Sequence, residues 1–268
     1  MARSQALSNI MNLIDAANEE LPIERQFLND LVASIQKQDE KNARKPSNTY
    51  KPSSLNCIRN MYFQVTGTEM QSDRASAELI GICESGTDRH ERIQNAVNMM
   101  KDTGIDCEYI DVGVYVASQQ NHGQLQDLEV VAQQGNETKL YNKKYNMSFL
   151  CDGIIKYKGF YYILEIKTES SNKFWNRKEI NPDHILQGTA YALNFGINQV
   201  IFLYENRDTC NKKVFMLKVT DKMKQDLVGK MTLCDDYVKQ LKVPPKPEDA
   251  NERHCGLCNY QEICKRYL

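Results

Sequence analysis

The stretch LCDGIIKYKGFYYILEIKTES, residues 150–170, constrains the fold of this chain more than any other. Two apolar runs flank Lys158-Gly159 and read as strands joined by a two-residue hairpin turn. With that turn Tyr157 faces Phe160, and counting outward sets Asp152 opposite Glu165. Alternate side chains share a strand face, so Lys167 leaves on the same side as Glu165. Like charges directly opposed on a strand pair are destabilising unless something cationic sits between them. Lys167 offers one positive charge, whereas a divalent cation offers two and prefers carboxylate oxygen. A solvated charged edge would also account for these residues, and an Asp with a Glu-x-Lys triplet arises often by chance.

The surrounding pattern is that of an α/β chain. Leu7, Ile10, Leu13 and Ile14 form one helical stripe and Leu28, Leu31, Val32 and Ile35 another, with Pro22 between them. The polar, proline-bearing segment 37–54 reads as a linker, which sets an N-terminal helical segment, 1–45, apart from a domain covering 46–268. A helix is expected over 75–100 and a strand over 105–116. A hairpin is expected over 128–144, with its turn near Gly135-Asn136. After the central strand pair, 182–196 reads as a helix opened by Pro182 and ended by Gly196. Strands QVIFLYEN and KKVFMLKV follow, then a helix over 221–241, then the stiff linker KVPPKPED and a cysteine-bearing tail. This order predicts a mixed central sheet with flanking helices.

The totals exclude little. The 268 residues are 41% hydrophobic and 26% charged with a formal net charge of −1, so no global charge announces a nucleic acid or a membrane. The sequence shows no signal-peptide pattern and no bilayer-length apolar run, which points to a cytoplasmic protein without a membrane partner. Disulfides are unexpected there, and Cys83, Cys107, Cys151, Cys210 and Cys234 read as small buried apolar side chains.

Two further features flank the strand pair. SGTDRHERIQ puts His90 on a helix, where it can offer an imidazole, and Gln187 and Tyr191 stand four apart on one helical face, with His184 on the same stripe. Taken in order, GTDRH, CDG, LEIKT and QGTAY resemble the RecB-like branch of the PD-(D/E)XK nuclease superfamily over about residues 75–220. The resemblance implies a restriction-endonuclease-like core and hydrolysis of DNA phosphodiesters. It implies a Mg²⁺ or Mn²⁺ ion held by His90, Asp152, Glu165 and the backbone carbonyl of Ile166. Lys167 would be the catalytic lysine, with Gln187 and Tyr191 near the DNA backbone. Cys151 departs from the proline of the superfamily's name.

The tail HCGLCNYQEICKRYL carries Cys255, Cys258 and Cys264, and Cys57 lies far upstream. Four thiolates suit one zinc ion or a [4Fe–4S] cluster, and spacing alone does not choose. One cysteine before the nuclease core and three after it resemble the iron–sulfur branch of these nucleases, which includes CRISPR-adaptation exonucleases and phage relatives. That resemblance implies a bacterial or phage-infected cell and a recombination or CRISPR-adaptation partner. ESSNKFWNRKEI mixes Lys173, Arg177 and Lys178 with Phe174 and Trp175, a combination that suits single-stranded DNA or a free end. The N-terminal helices are candidates for self-association. A non-catalytic DNA-binding module on the same fold, or a zinc-stapled scaffold, are the competing readings.

Overall fold

The turn at Lys158-Gly159 has both residues at positive φ, 49° and 83°, the geometry of a tight hairpin whose twist matches its strands. In the computed structural model, which describes residues 22–41, 46–70, 76–134, 137–247, 255 and 258–267, this hairpin is the middle of the main sheet. Strands β1 (Cys107–Ile110), β5 (Gly153–Tyr157), β6 (Phe160–Glu169), β7 (Gln199–Asn206) and β8 (Lys212–Lys218) lie in the order β1-β5-β6-β7-β8. The β6–β7 pair is parallel and the others antiparallel, so the sheet is mixed. A separate antiparallel sheet holds β2 (Leu128–Gln134), β3 (Glu137–Asn142) and β4 (Met147–Cys151).

The described helices are α1 (Ile23–Lys41), α2 (Ile58–Val65), α3 (Ala77–Asn98), α4 (Val112–Asn121), α5 (Ser171–Asn176), α6 (Pro182–Phe195), α7 (Asp221–Lys239) and α8 (Gln261–Lys265). The chain divides into two compact units, Met1–Arg44 with Arg74–Ile82 and Lys45–Asp73 with Cys83–Leu268. In the first unit α1 leaves Ile23, Phe27, Leu28 and Leu31 exposed. The stripe Leu7, Ile10, Leu13 and Ile14, and the turn at Gly135-Asn136, lie outside the described residues. Among the described residues no helix is long and apolar enough to cross a membrane.

In the second unit, apolar alternation along β6 feeds two cores. Ile163 joins the larger one with Phe195, Phe202 and Tyr204. Leu164 and Ile166 join the smaller one with Ile93 and Val97 of α3 and with Ile155 and Cys107. Helix α6 connects the two parallel strands. Pro182 opens it, and the Asn181 side chain accepts a hydrogen bond from Asp183 N at 3.0 Å, capping its start.

Three expectations need correction. The strand expected over 105–116 ends at Ile110, and Val112–Asn121 is helical. Asp111 decides this: its Oδ1 accepts from Val114 N at 2.8 Å, an N-cap that lets Val112, Tyr115 and Val116 bury one helical face. The apolar run before the hairpin is not one strand but two, β4 and β5, and the chain changes sheets at Asp152. Cys107, Cys151 and Cys234 are buried, but Cys83 and Cys210 are exposed. Cys210 sits in the β7–β8 turn at φ 58°, outside any apolar layer.

Gly153 makes the sheet change possible. A Cβ there would lie 2.7 Å from the Tyr109 hydroxyl oxygen and 2.8 Å from ring carbons of the same side chain. That hydroxyl donates to the Asp152 carbonyl, which also accepts from Gln94 Nε2 at 2.7 Å. Gly153→Ala is therefore expected to destabilise the protein by about 1–3 kcal/mol through overpacking. Denaturant unfolding checks this, and an unchanged midpoint would show that the tyrosine moves aside freely.

Candidate active site

Asp152 is held at its carbonyl and at both carboxylate oxygens. Besides the two donors on its carbonyl, its Oδ2 accepts from Ile166 N at 2.7 Å and its Oδ1 lies 3.2 Å from His90 Nδ1. The β5–β6 register pairs Gly153 with Leu164, so Asp152 and Glu165 are the next residues along the two strands. Glu165 is 2% exposed. Its Oε1 accepts from Lys167 Nζ at 2.6 Å, while its Oε2 is buried with no hydrogen-bond partner. Burial raises the Glu165 carboxyl to about 7, with Lys167 pulling the other way. Burial would depress Lys167, but Glu165 and Asp152 outweigh it and hold the ammonium charged.

His90 reaches this centre from α3. Burial alone would lower it, but hydrogen bonds to Asp152 and Glu137 hold its imidazolium up to about 10. Glu137, at the start of β3, puts Oε1 3.8 Å from His90 Nδ1. One ligand atom from each of His90, Glu137 and Asp152 lies within 4.8 Å of the others, a His/Glu/Asp group able to hold a metal ion. Sequence reasoning missed Glu137. Its only signal was a carboxylate beside a hairpin turn, and nothing local ties that turn to α3.

Gln187 and Tyr191 share a face of α6, but they are 9% and 4% exposed. Gln187 Nε2 donates to the Tyr191 hydroxyl at 2.9 Å, and that hydroxyl donates to the Leu150 carbonyl at 3.0 Å. The pair thus grips β4 two residues before Asp152. His184 stacks near Phe202 and Tyr204, its Nδ1 2.7 Å from the Tyr204 hydroxyl. Burial, with Lys167 and Arg177 adding to it, drops His184 to about 3, so its ring is neutral.

A groove of about 830 Å³ opens beside Lys167. Lys173, Arg177, His184 and Arg207 line it together with Lys167, as do Ser53, Asn60, Cys258 and Asn259. Lys173 reaches it, Trp175 is exposed on the same short helix whereas Phe174 is buried in the core and offers no face to a base, and Lys178 is exposed outside the lining. Arg177 is committed to the protein: Nε donates to Glu169 Oε2 at 2.7 Å and the guanidinium lies 4.5 Å from the Tyr204 ring centroid. Lys213 Nζ holds α5 in place by donating to the Phe174 and Arg177 carbonyls at 2.7 and 3.0 Å. Arg207 is a groove cation that sequence reasoning did not single out.

Cys57, Cys255, Cys258 and Cys264 line one pocket of about 200 Å³. Arg59 ties it together, donating from Nη1 to Cys264 Sγ at 3.3 Å and from Nε to the Pro244 carbonyl at 2.7 Å. Asn60 Nδ2 is 3.8 Å from Cys258 Sγ. Burial raises the Cys258 thiol, and the other three cysteines add to the rise. Among the described residues no three of these sulfurs lie within 4.8 Å of one another.

No protein-family model and no curated protein matches the sequence. Among solved structures, SSO0001 is similar at 15% identity and a TM-score of 0.49, covering 90% of this chain and 98% of its own. An alkaline exonuclease, LHK-Exo, from Laribacter hongkongensis is similar at 10% identity and a TM-score of 0.42, covering 73% of this chain and 90% of its own. The same exonuclease in complex with dAMP gives 11% identity and a TM-score of 0.41, covering 72% of this chain and 89% of its own.

Proposed function

We propose that this chain is a metal-dependent DNA exonuclease stapled by a four-cysteine iron–sulfur cluster. The observation that carries the reading is Glu165, a buried carboxylate beside Asp152 with one oxygen on Lys167 and the other unpartnered. An unsatisfied buried polar group costs about 1–3 kcal/mol, more when charged. A cation among these carboxylates removes that cost, so the donor set fits a divalent ion. His90, Asp152, Glu165 and the Ile166 carbonyl would hold Mg²⁺ or Mn²⁺. When bound, the ion polarises a phosphodiester and lowers the pKa of water towards ~7.

The protein's own groups do the rest. Lys167, charged and at the groove wall, orients the attacking water and offsets charge on the phosphorane-like transition state. Gln187 and Tyr191 are positioning residues that hold Asp152 through β4. Lys173 and Arg207 follow the phosphates of a single strand or a free end, and the exposed Trp175 stacks on a base. Arg177 supports this wall through Glu169 and Tyr204. Lys178 meets DNA beyond the groove. The products carry a 3′-hydroxyl and a 5′-phosphate.

Cys57, Cys255, Cys258 and Cys264 line one pocket and would hold the [4Fe–4S] cluster. A partner from recombination or CRISPR adaptation, and self-association through the N-terminal helices, fit such an enzyme. The test is release of acid-soluble nucleotide from DNA on adding Mg²⁺ or Mn²⁺. Release that stops with a chelator is expected. DNA left intact at every metal concentration would sink the proposal.

A further inference from the structure

We infer that His184 contacts the substrate: its uncharged Nε2–H donates to a phosphate oxygen of the strand lying in the groove. The contact deepens the nuclease reading and rests on it for the presence of DNA.

His184 lies in the first turn of α6 and lines the groove with Lys167, Lys173 and Arg207. Its ring stacks near Phe202 and Tyr204, the planes 15° and 26° apart, so its direction is set by packing. Nδ1 lies 2.7 Å from the Tyr204 hydroxyl. Tyr204 is 0% exposed, so its hydroxyl proton needs an acceptor inside the protein. That hydroxyl itself accepts from Asn181 N at 3.5 Å, and among the described residues His184 Nδ1 is the acceptor it meets. The charge of Arg177, 4.5 Å from the Tyr204 ring centroid, favours giving that proton up. The phenol therefore donates to Nδ1, and a neutral imidazole that accepts at Nδ1 carries its own proton on Nε2.

Nε2 has no protein partner among the described residues, and it is not one of their buried orphan atoms either. It therefore opens to solvent, and the solvent beside this residue is the groove. Burial lowers the proton affinity of the ring, and Lys167, Arg177 and Lys173 lower it further, so the donor stays uncharged. A donor without a free acceptor suits a group that only accepts. The cations around it, Lys167, Lys173 and Arg207, draw phosphates to this part of the groove. The groove thus offers two kinds of phosphate contact. Lysine and arginine displace condensed counterions, whereas a neutral imidazole displaces none.

The test has two arms. Long-range proton–nitrogen NMR of the full chain without DNA, with His184→Phe identifying the signals, is expected to show a neutral Nε2–H tautomer. Binding of fluorescent oligo(dT) and oligo(dA) in a chelator, across a range of salt, reads the contact. His184→Phe keeps the stack and loses the donor. It is expected to bind both oligonucleotides about 10- to 100-fold more weakly, the worth of a hydrogen bond to a charged group, with the slope against salt unchanged. Lys173→Ala is expected to lower that slope by about 0.7, one phosphate on a single strand. His184→Gln, whose amide accepts and donates, should regain part of the affinity. Circular dichroism melting checks that each variant is folded. Tyr204→Phe deletes the same internal hydrogen bond but spares Nε2, so a loss there as large as in His184→Phe would make the role structural and overturn the inference. An Nδ1–H tautomer, unchanged binding by folded His184→Phe, a loss confined to one of the two oligonucleotides, or a fall in its salt slope overturns it too. Binding that depends on His184 in a protein that cleaves nothing with Mg²⁺ or Mn²⁺ would sink the nuclease reading and leave this contact standing.

Discussion

Glu165→Ala and Lys167→Ala are each expected to lose the proposed DNA cleavage by at least about 10²–10³-fold, the loss seen when a single transition-state donor is removed. Their binding behaviour separates them. Glu165→Ala also loses metal affinity, since it removes a carboxylate beside Asp152. Lys167→Ala keeps the metal and loses the chemistry, because its ammonium touches Glu165 and the groove. Neither change is expected to unfold the protein. Glu165 in the metal-free state has one orphaned oxygen, but its other oxygen partners the Lys167 ammonium, and removing one member of a buried pair leaves the other charge uncompensated. Glu165→Ala is therefore expected to melt below the wild-type temperature. Steady-state cleavage, metal titration and thermal melting on the same preparations check all three statements. Near wild-type turnover in either purified variant would remove that residue from the site.

Cys57→Ser is expected to lose the cluster and to lower the melting temperature as much as Cys258→Ser does. Cys57 immediately precedes α2, and its three proposed partners lie at the other end of the chain around the same pocket. Ligation closes a loop of roughly 200 residues, worth about 5 kcal/mol of chain entropy. Serine is a poor ligand for iron, and a site with three thiolates is open to oxidation. Both variants should be colourless and iron-poor. Exposed Cys83 and buried Cys234 lie outside the pocket, so their replacement should leave iron content unchanged. A Cys57→Ser protein with full iron would place the fourth ligand elsewhere and end the staple.

The hairpin was legible because two local rules agree in it. A two-residue turn fixes the register and alternation fixes the face, so Tyr157 pairs with Phe160 and the acidic ends meet. Helix α6 was legible from Pro182 at its start and Gly196 at its end. What stayed hidden depends on contacts far apart in sequence. The run 147–157 is apolar except at Ser148, Asp152 and Lys156, and no periodicity states that the chain leaves one sheet for another there. Val112, Val114 and Val116 alternate like a strand, and only the Asp111 cap reveals a helix. Glu137 has no local signal at all, because the histidine it faces sits on α3. Arg177 looked like a DNA contact by type, yet its partner Glu169 and the Tyr204 ring hold it in the groove wall.

The central claim is that the Asp152, Glu165 and Lys167 constellation cuts DNA from an end. The most direct measurement follows end-labelled single- and double-stranded DNA over time with Mg²⁺ or Mn²⁺, with Lys167→Ala alongside. The account predicts that wild type releases labelled mononucleotides or short products from one end from the earliest times, only with metal, while Lys167→Ala leaves the substrate at full length. Full-length DNA throughout the wild-type course, or the same degradation in Lys167→Ala, would contradict it.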